Sequence, residues 1–145
     1  MLDSYMADVQ EDSGAFLVTF PDVPEAITGG ATLEEALVNA HEALELALLT
    51  YAAEGTPMPA ASRRPSGRGS YHAVPVAAAV AAKIAFILAF RESGMTRVAL
   101  AAKLGKAETE VRRMLDPYHQ TKLPAIETAL RALGKRLVIS IEEAA

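Results

Sequence analysis

Two short stretches near the start of the chain alternate apolar and polar residues, the period of a strand with one buried face. Tyr5, Ala7 and Val9 share one face of Ser4–Val9, and Phe16, Val18 and Phe20 share one face of Ala15–Phe20. The intervening Glu11-Asp12-Ser13-Gly14 has turn composition, so the pair predicts a hairpin. Pro21-Asp22-Val23-Pro24 ends the second strand because neither proline can donate to a ladder. A short strand through Ile27 precedes Gly29-Gly30. From Thr32 the period lengthens: Leu33, Ala36, Leu37, Ala40, Leu44, Ala47, Leu48 and Tyr51 recur at helical spacing. Thr32 with Glu35 makes a capping box, and Gly55 is the stop. Tyr71 to Val74 returns as a further strand, giving a small antiparallel sheet with one main helix.

The remainder reads as helices. Val76 to Arg91 carries Val80, Ile84, Ile87 and Leu88 on one stripe and ends at Ser93-Gly94. Thr96 caps a short helix to Lys103. Thr96 to Leu115 has the spacing of a helix-turn-helix: Leu100, Ala101 and Leu104 inward, Gly105 at the turn, and Val111 and Met114 inward on the second helix. Pro124 opens another helix with Ile126, Leu130 and Leu133, stopped by Gly134. In the closing LVISI, Leu137, Ile139 and Ile141 alternate with Val138 and Ser140, which predicts a strand. A lone strand in a helical domain needs a partner, and pairing across a two-fold axis would supply one. The expected architecture is therefore α+β followed by an all-α helix-turn-helix domain that ends in a short dimerising strand.

Charge follows the same division. Residues 1–59 contain no Lys or Arg and carry a formal charge of −11, while residues 60–145 hold all 14 bases and a formal +7. Between Gly55 and Ser70 the chain reads GTPMPAASRRPSGRGS, a linker composition. The expected domains are thus 1–74, with its linker at 56–70, and 75–145, and opposite charges suggest different partners for the two.

Composition removes several classes of function. With 51% apolar and 22% charged residues the chain can build a core. The absence of cysteine excludes disulfides, a thiol nucleophile and thiolate-bound metal. The first residues have neither the basic nor the apolar region of a secretory signal, so a cytoplasmic location is expected. The apolar run Ala73–Phe90 is alanine-rich, starts beside Pro75 and carries Lys83 near its middle. A cation there costs a membrane helix roughly 2.5 to 3.5 kcal/mol, so a core helix and no membrane are expected.

Candidate chemistry differs between the halves. On the predicted second helix of the helix-turn-helix, Ala107–Leu115, the outward side chains are Glu108, Thr109, Arg112 and Arg113. Arginine can pair with guanine O6 and N7 or hold phosphate, and Glu108 can accept from cytosine N4. Lys103, Lys106 and Lys122 flank the motif as sequence-independent anchors for operator DNA. In the acidic half, a two-metal nuclease would need carboxylates from several elements converging within ~4 Å. Asp3, Asp8, Glu34 and Glu35 do not make such a set, because Tyr71–Val74 offers no acid. His41, His72 and His119 have no evident ligand partners. No catalytic residue, metal or cofactor is expected.

The run SGAFLVTFPDVPEAITGGATLEEALVNAHEAL resembles the partial RNase H-like domain of HicB-type antitoxins. The resemblance covers Asp3 to Gly55 and lies in the aromatic-rich strand, the F-P-D-x-P turn, the paired glycines and the T-x-E-E-A-L helix start. The order of helix-turn-helix, helix and terminal strand is similar to the C-terminal DNA-binding domain of many HicB-like antitoxins. The resemblance implies an antitoxin that binds a small HicA-type mRNA-cleaving toxin and represses its own operon as a homodimer or higher oligomer. An RNA-cleaving toxin should present a basic surface, so the base-free half supplies the candidate toxin contacts, Asp8, Glu11, Asp12, Asp22 and Glu25, and the terminal strand supplies the candidate dimer contacts, Leu137, Ile139 and Ile141. Two other classes stay open: a stand-alone transcription regulator with an acidic sensing or dimerisation domain, and a nuclease.

Overall fold

A computed structural model describes residues 2–62 and 70–144. The chain divides into two compact units, Met1–Ala81 and Ala82–Ala145. The first contains β1 (Ser4–Asp12), β2 (Ala15–Thr19), β3 (Ile27–Gly30), α1 (Leu33–Glu54) and β4 (Ser70–Pro75). The helices α2 (Ala78–Ser93), α3 (Arg97–Leu104), α4 (Glu108–Leu115) and α5 (Leu123–Ala132) follow. The fold class is α+β, as the residue pattern predicts.

The sheet has the order β3-β2-β1-β4 and every pairing is antiparallel. Ser13 and Gly14 both have positive φ, 55° and 84°, between the paired Asp12 and Ala15. That backbone matches the twist of the two strands, which fixes the hairpin register. Tyr5, Ala7, Val9, Val18, Phe20 and Val74 are buried against α1, whose buried face is Ala36, Ala40, Leu44, Ala47, Leu48 and Ala52. Burying Leu44 and Leu48 contributes about 1.5 to 3 kcal/mol each. Leu33, expected inward, is exposed in the first turn of α1.

The paired glycines set how closely helix and sheet approach. A Cβ on Gly30 would lie 2.5 Å from the Ala36 nitrogen, and one on Gly29 would lie 2.5 Å from the Phe16 carbonyl oxygen. Thr32 Oγ1 accepts from the Glu35 amide at 3.1 Å, and Gly55 closes α1 in the left-handed conformation. Asn39 Nδ2 donates to the Gly29 carbonyl at 2.8 Å, a further tie between helix and β3.

The first part of the expected linker is attached to this unit. Tyr5 Oη donates to the Pro59 carbonyl at 2.6 Å, and Ser62 donates its amide and hydroxyl to the two Asp22 oxygens at 2.7 and 2.8 Å. Burial, with the nearby Asp22 charge, raises the Tyr5 pKa. Residues 63–69, the centre of the expected linker, lie outside the described residues.

In the second unit Ala82, Phe86 and Ala89 of α2 form one core with Leu100, Ala101, Val111, Met114, Ile126, Ala129 and Leu130. The expected α2 stripe through Val80 and Leu88 is therefore incomplete: Phe86 and the small alanines face this core, and Lys83 is buried with them. Alanine gives a hydropathy pattern little contrast, so several helix faces read alike. α3 is capped by Thr96 and ends at Gly105, whose φ of 66° turns the chain into α4. Pro124 stands in the first turn of α5 and Gly134 follows its end with φ 77°.

The strand expected over Leu137–Ile141 does not form within one chain. Leu137 packs on the second unit's core, whereas Val138, Ile139 and Ile141 are 72%, 65% and 97% exposed. A strand exists by its ladder, and no strand of this unit is available to pair with it among the described residues.

Candidate functional site

The helices α3 and α4 bring Arg97, Arg112 and Arg113 together at one exposed surface, while Lys103 is exposed on α3. Arg112, Arg113 and Thr109 are exposed on α4, while Val111 and Met114 anchor its opposite face. Glu108 is half-buried and paired: Arg112 Nη2 reaches its two oxygens at 3.0 and 3.3 Å, and Arg97 Nε reaches one at 3.4 Å. Lys106 pairs with Glu110 at 3.5 Å, one turn further along α4. Lys122 is exposed at the N-cap of α5. In the free protein the Glu108 carboxylate is thus shared by two arginines, one from each helix. Arg97 was not singled out by the sequence because it lies on another helix, and no helical period links it to Glu108.

Exposed pairs of this kind are worth only about 0 to 1 kcal/mol, so a phosphate or base edge can replace them at little cost. Arg97, Arg112 and Arg113 also line a shallow depression with Leu115, Asp116 and Pro117. A row of guanidinium groups on the exposed side of a short helix is suited to polyanion binding.

The acidic candidates in the first unit do not form a single patch. Asp8, Gln10 and Asp12 lie on the face of β1 away from α1, and Glu11 falls on the opposite face. Asp22 is occupied by Ser62. Glu25 accepts from Tyr51 Oη at 2.6 Å; that hydrogen bond, with one from its own backbone, lowers the Glu25 pKa and raises that of the tyrosine. Glu11 and Asp12 are exposed beside the hairpin turn.

Asp8 occupies the middle of the open face. Its neighbours across the sheet are Thr19 and Tyr71, and Ile27 lies beyond Thr19. Gln10 donates to Asp8 Oδ2 at 3.2 Å, but no donor among the described residues reaches the buried Oδ1. Leu17 and Ile27 on the same face are 44% and 62% exposed. The sequence places Ile27 on a strand but does not single out either side chain as exposed, although the alternation that buries Val18 also turns Leu17 outward.

Among the described residues no group of three His, Cys, Asp or Glu side chains can hold a metal ion. Glu35 is directed to the start of α1, where Oε2 accepts from the Ala31 amide at 3.4 Å. Among the described residues no helix is long and apolar enough to cross a membrane.

The sequence model described as HicB-like antitoxin of bacterial toxin-antitoxin systems matches residues 4–85, which is the sheet-bearing unit and the start of α2. The chain belongs to the HicB-like antitoxin family. The antitoxin HicB of Escherichia coli (strain K12) is 37% identical over 125 residues, covering 86% of this chain and 88% of that protein. Antitoxin HicB 1 of Photorhabdus laumondii is 37% identical over 131 residues, 90% of this chain and 81% of the relative. The antitoxin HicB of Pseudomonas fluorescens (strain Pf0-1) is 33% identical over 140 residues, 97% and 94% of the two chains. Similarity to these HicB-like relatives thus runs through the helical unit as well as the sheet.

Proposed function

We propose that this antitoxin neutralises a HicA-type mRNA-cleaving toxin with its N-terminal unit and represses its own operon with its C-terminal helices, acting in the cytoplasm and doing no chemistry itself. The observation that carries the reading is the open sheet face of the acidic unit. A buried carboxylate oxygen without a donor costs about 1 to 3 kcal/mol, and a cationic or N–H donor from a partner would remove that cost. Asp8 with exposed Leu17 and Ile27 around it therefore suits a partner that brings a basic side chain set in apolar surface. An enzyme that grips RNA has such a surface, and residues 1–59 offer it no repelling base. Asp12 and Glu11 at the hairpin end extend the attraction; Asp22 and Glu25 serve mainly within the chain.

Operator recognition is assigned to α4. Arg112 and Arg113 read base edges, Glu108 and Arg97 orient Arg112, Thr109 lies on the same side, and Lys106 and Lys122 hold phosphates. A homodimer would bring two copies of α4 to successive half-sites, with Ile139 and Ile141 of one chain pairing against those of the other. Leu137 contributes to the core of its own chain.

The test is one purified complex and two assays. Toxin co-expressed with residues 1–81 should lose RNA cleavage, and the full chain should retard promoter DNA in a sequence-dependent manner. Toxin that stays active in an excess of the full chain would refute the first half of the reading. Equal retardation of promoter and scrambled DNA would refute the second.

A further inference from the structure

Lys83 is the charged residue that the described part of the fold buries, at 4% exposure. It lies on α2 between Ala82 and Phe86 of the core and Ile84, and it is the one strongly polar side chain in that stretch. An ammonium removed from water is costly unless it is well partnered. Lys83 Nζ donates to the Met114 carbonyl at 2.6 Å and to Thr121 Oγ1 at 2.5 Å.

Both partners lie on elements that carry residues assigned to DNA, Met114 on the buried side of α4 and Thr121 in the turn before α5. Met114 is in the last turn of α4, where carbonyls lack intrahelical amides and the helix end favours a cation. Thr121 adjoins Lys122, the N-cap of α5. One ammonium thus ties α2 to the end of the helix that carries Arg112 and Arg113 and to the turn that carries Lys122. Replacing a buried cation by a well-packed apolar side chain is often neutral or stabilising, so core packing does not explain a lysine here.

We propose that Lys83 is a positioning residue for DNA recognition: by fixing the end of α4 to the turn before Lys122, it sets the register between the base-reading arginines and the phosphate anchor. The proposal rests on the DNA-binding reading above. The elements around the ammonium carry Glu108, Glu110, Arg112 and Arg113 on α4 and Asp116, Tyr118, His119 and Lys122 on the turn. Burial disfavours the charged form and Asp116 favours it; burial wins, lowering the pKa from 10.5 to about 8. Lys83 therefore loses its charge over a pH range in which arginine keeps its own.

Full-length wild type, Lys83→Met and Thr121→Val are compared on promoter DNA and on a scrambled duplex of equal length, below the melting temperature of each. Losing a hydrogen bond to a charged group should weaken promoter binding by Lys83→Met roughly tenfold or more, and Thr121→Val should lose about threefold. Scrambled DNA should bind both variants within about twofold of wild type, because neither side chain is a phosphate anchor. The promoter preference of wild type should also decline as pH rises from 7 to 9.5, and that of Lys83→Met should stay flat.

A lysine that serves folding alone would lower both affinities together and leave the preference ratio unchanged. That result, or a flat wild-type pH profile, overturns the proposal. If Lys83→Met does not fold, Thr121→Val and the wild-type profile decide the matter. A wild type that cannot distinguish promoter from scrambled DNA overturns the DNA reading itself, and the role of Lys83 with it.

Discussion

Arg112 is held by Glu108 through both carboxylate oxygens, at 3.0 and 3.3 Å, and the same carboxylate takes Arg97 of the preceding helix at 3.4 Å. One acid therefore arranges two arginines across the turn at Gly105. A guanidinium fixed in this way has less side-chain freedom to lose when it meets a base, which favours selectivity over simple attraction. The negative charge of Glu108 opposes the phosphate backbone, and removing it separates these two effects.

Glu108→Ala should bind scrambled DNA more tightly and lose much of its preference for the promoter. Arg112→Ala should cost ~1 to 3 kcal/mol on the promoter and relax specificity, whereas Lys106→Ala should weaken all DNA alike and flatten the salt dependence by about one unit. Stability should change by no more than about 1 kcal/mol in Glu108→Ala, since the pairs are partly exposed. Fluorescence anisotropy at several salt concentrations, with a urea titration of each variant, measures all of this. A Glu108→Ala protein with unchanged promoter preference would remove the orienting role.

Gly30→Ala provides a test of the fold that is independent of function. The added methyl would meet the Ala36 nitrogen at 2.5 Å, and backbone cannot move aside as a flexible side chain can. Strain of this kind typically costs 1 to 3 kcal/mol. Chemical denaturation of residues 1–81 should show a lower midpoint with an unchanged slope. Gly14→Ala meets nothing within 4 Å but sits at φ 84°, so its smaller loss comes from backbone conformation alone.

These glycines also show what a sequence can express. Gly29-Gly30, Thr32, Gly55, Thr96, Gly105 and Pro124 each mark a local event, and the strands and helices begin and end near them as the pattern indicates. The short helices α3 and α4 and the turn between them are legible for the same reason, because Ala101, Gly105, Val111 and Met114 report a contact between neighbours in sequence. The return of Tyr71–Val74 to the sheet was legible from its strand pattern, but long-range side-chain pairings were not. Lys83 appears only as a charge in an apolar run; its partners lie 31 and 38 residues away. Asp22 looks like any surface acid until Ser62, 40 residues on, occupies it. The final LVISI alternates like a strand whether or not a partner strand is present.

Stability should depend on pH through Lys83. Its folded pKa, about 8, lies below the value of 10.5 that it has when solvated. Between those values the unfolded chain binds more protons than the folded one, so stability rises with pH across that window and is lost as pH falls through 8. Wild type should gain stability relative to Lys83→Met from pH 8 to 10.5 in urea titrations. Promoter preference should fall over the lower part of the same range. A single structural role would move the two quantities in the same direction.

On the sheet, Leu17→Lys with Ile27→Lys should abolish tight toxin binding, because the change sets new cations against a basic partner without touching the core. Both side chains are exposed, so stability should stay within about 0.5 kcal/mol. Val38→Lys, on the exposed side of α1, adds charge elsewhere and should bind nearly as wild type does. Asp8→Asn should weaken the complex while leaving the free protein as stable as before or more so, since the orphan oxygen or its charge is removed. Calorimetry with the purified toxin reads each binding change; tight binding by the double lysine variant would move the interface off this face.

The segment after Gly134 allows the proposed dimer to be tested separately from the proposed reading by α4. Val138, Ile139 and Ile141 present apolar side chains to solvent, and an unpaired stretch of this kind is stabilised by joining a second copy. Deletion from Val138 retains Leu137 and therefore the packing of each unit's core, so the truncated chain should remain folded by circular dichroism. It should sediment as a smaller species than wild type. On a palindromic promoter it should bind each half-site independently, losing cooperativity and retaining its dependence on Arg112. Ile139→Lys with Ile141→Lys should reproduce the deletion, because like charges would face each other across the axis. An unchanged sedimentation coefficient in both variants would place the dimer contact elsewhere; loss of half-site binding as well would show that the tail supports α4 directly.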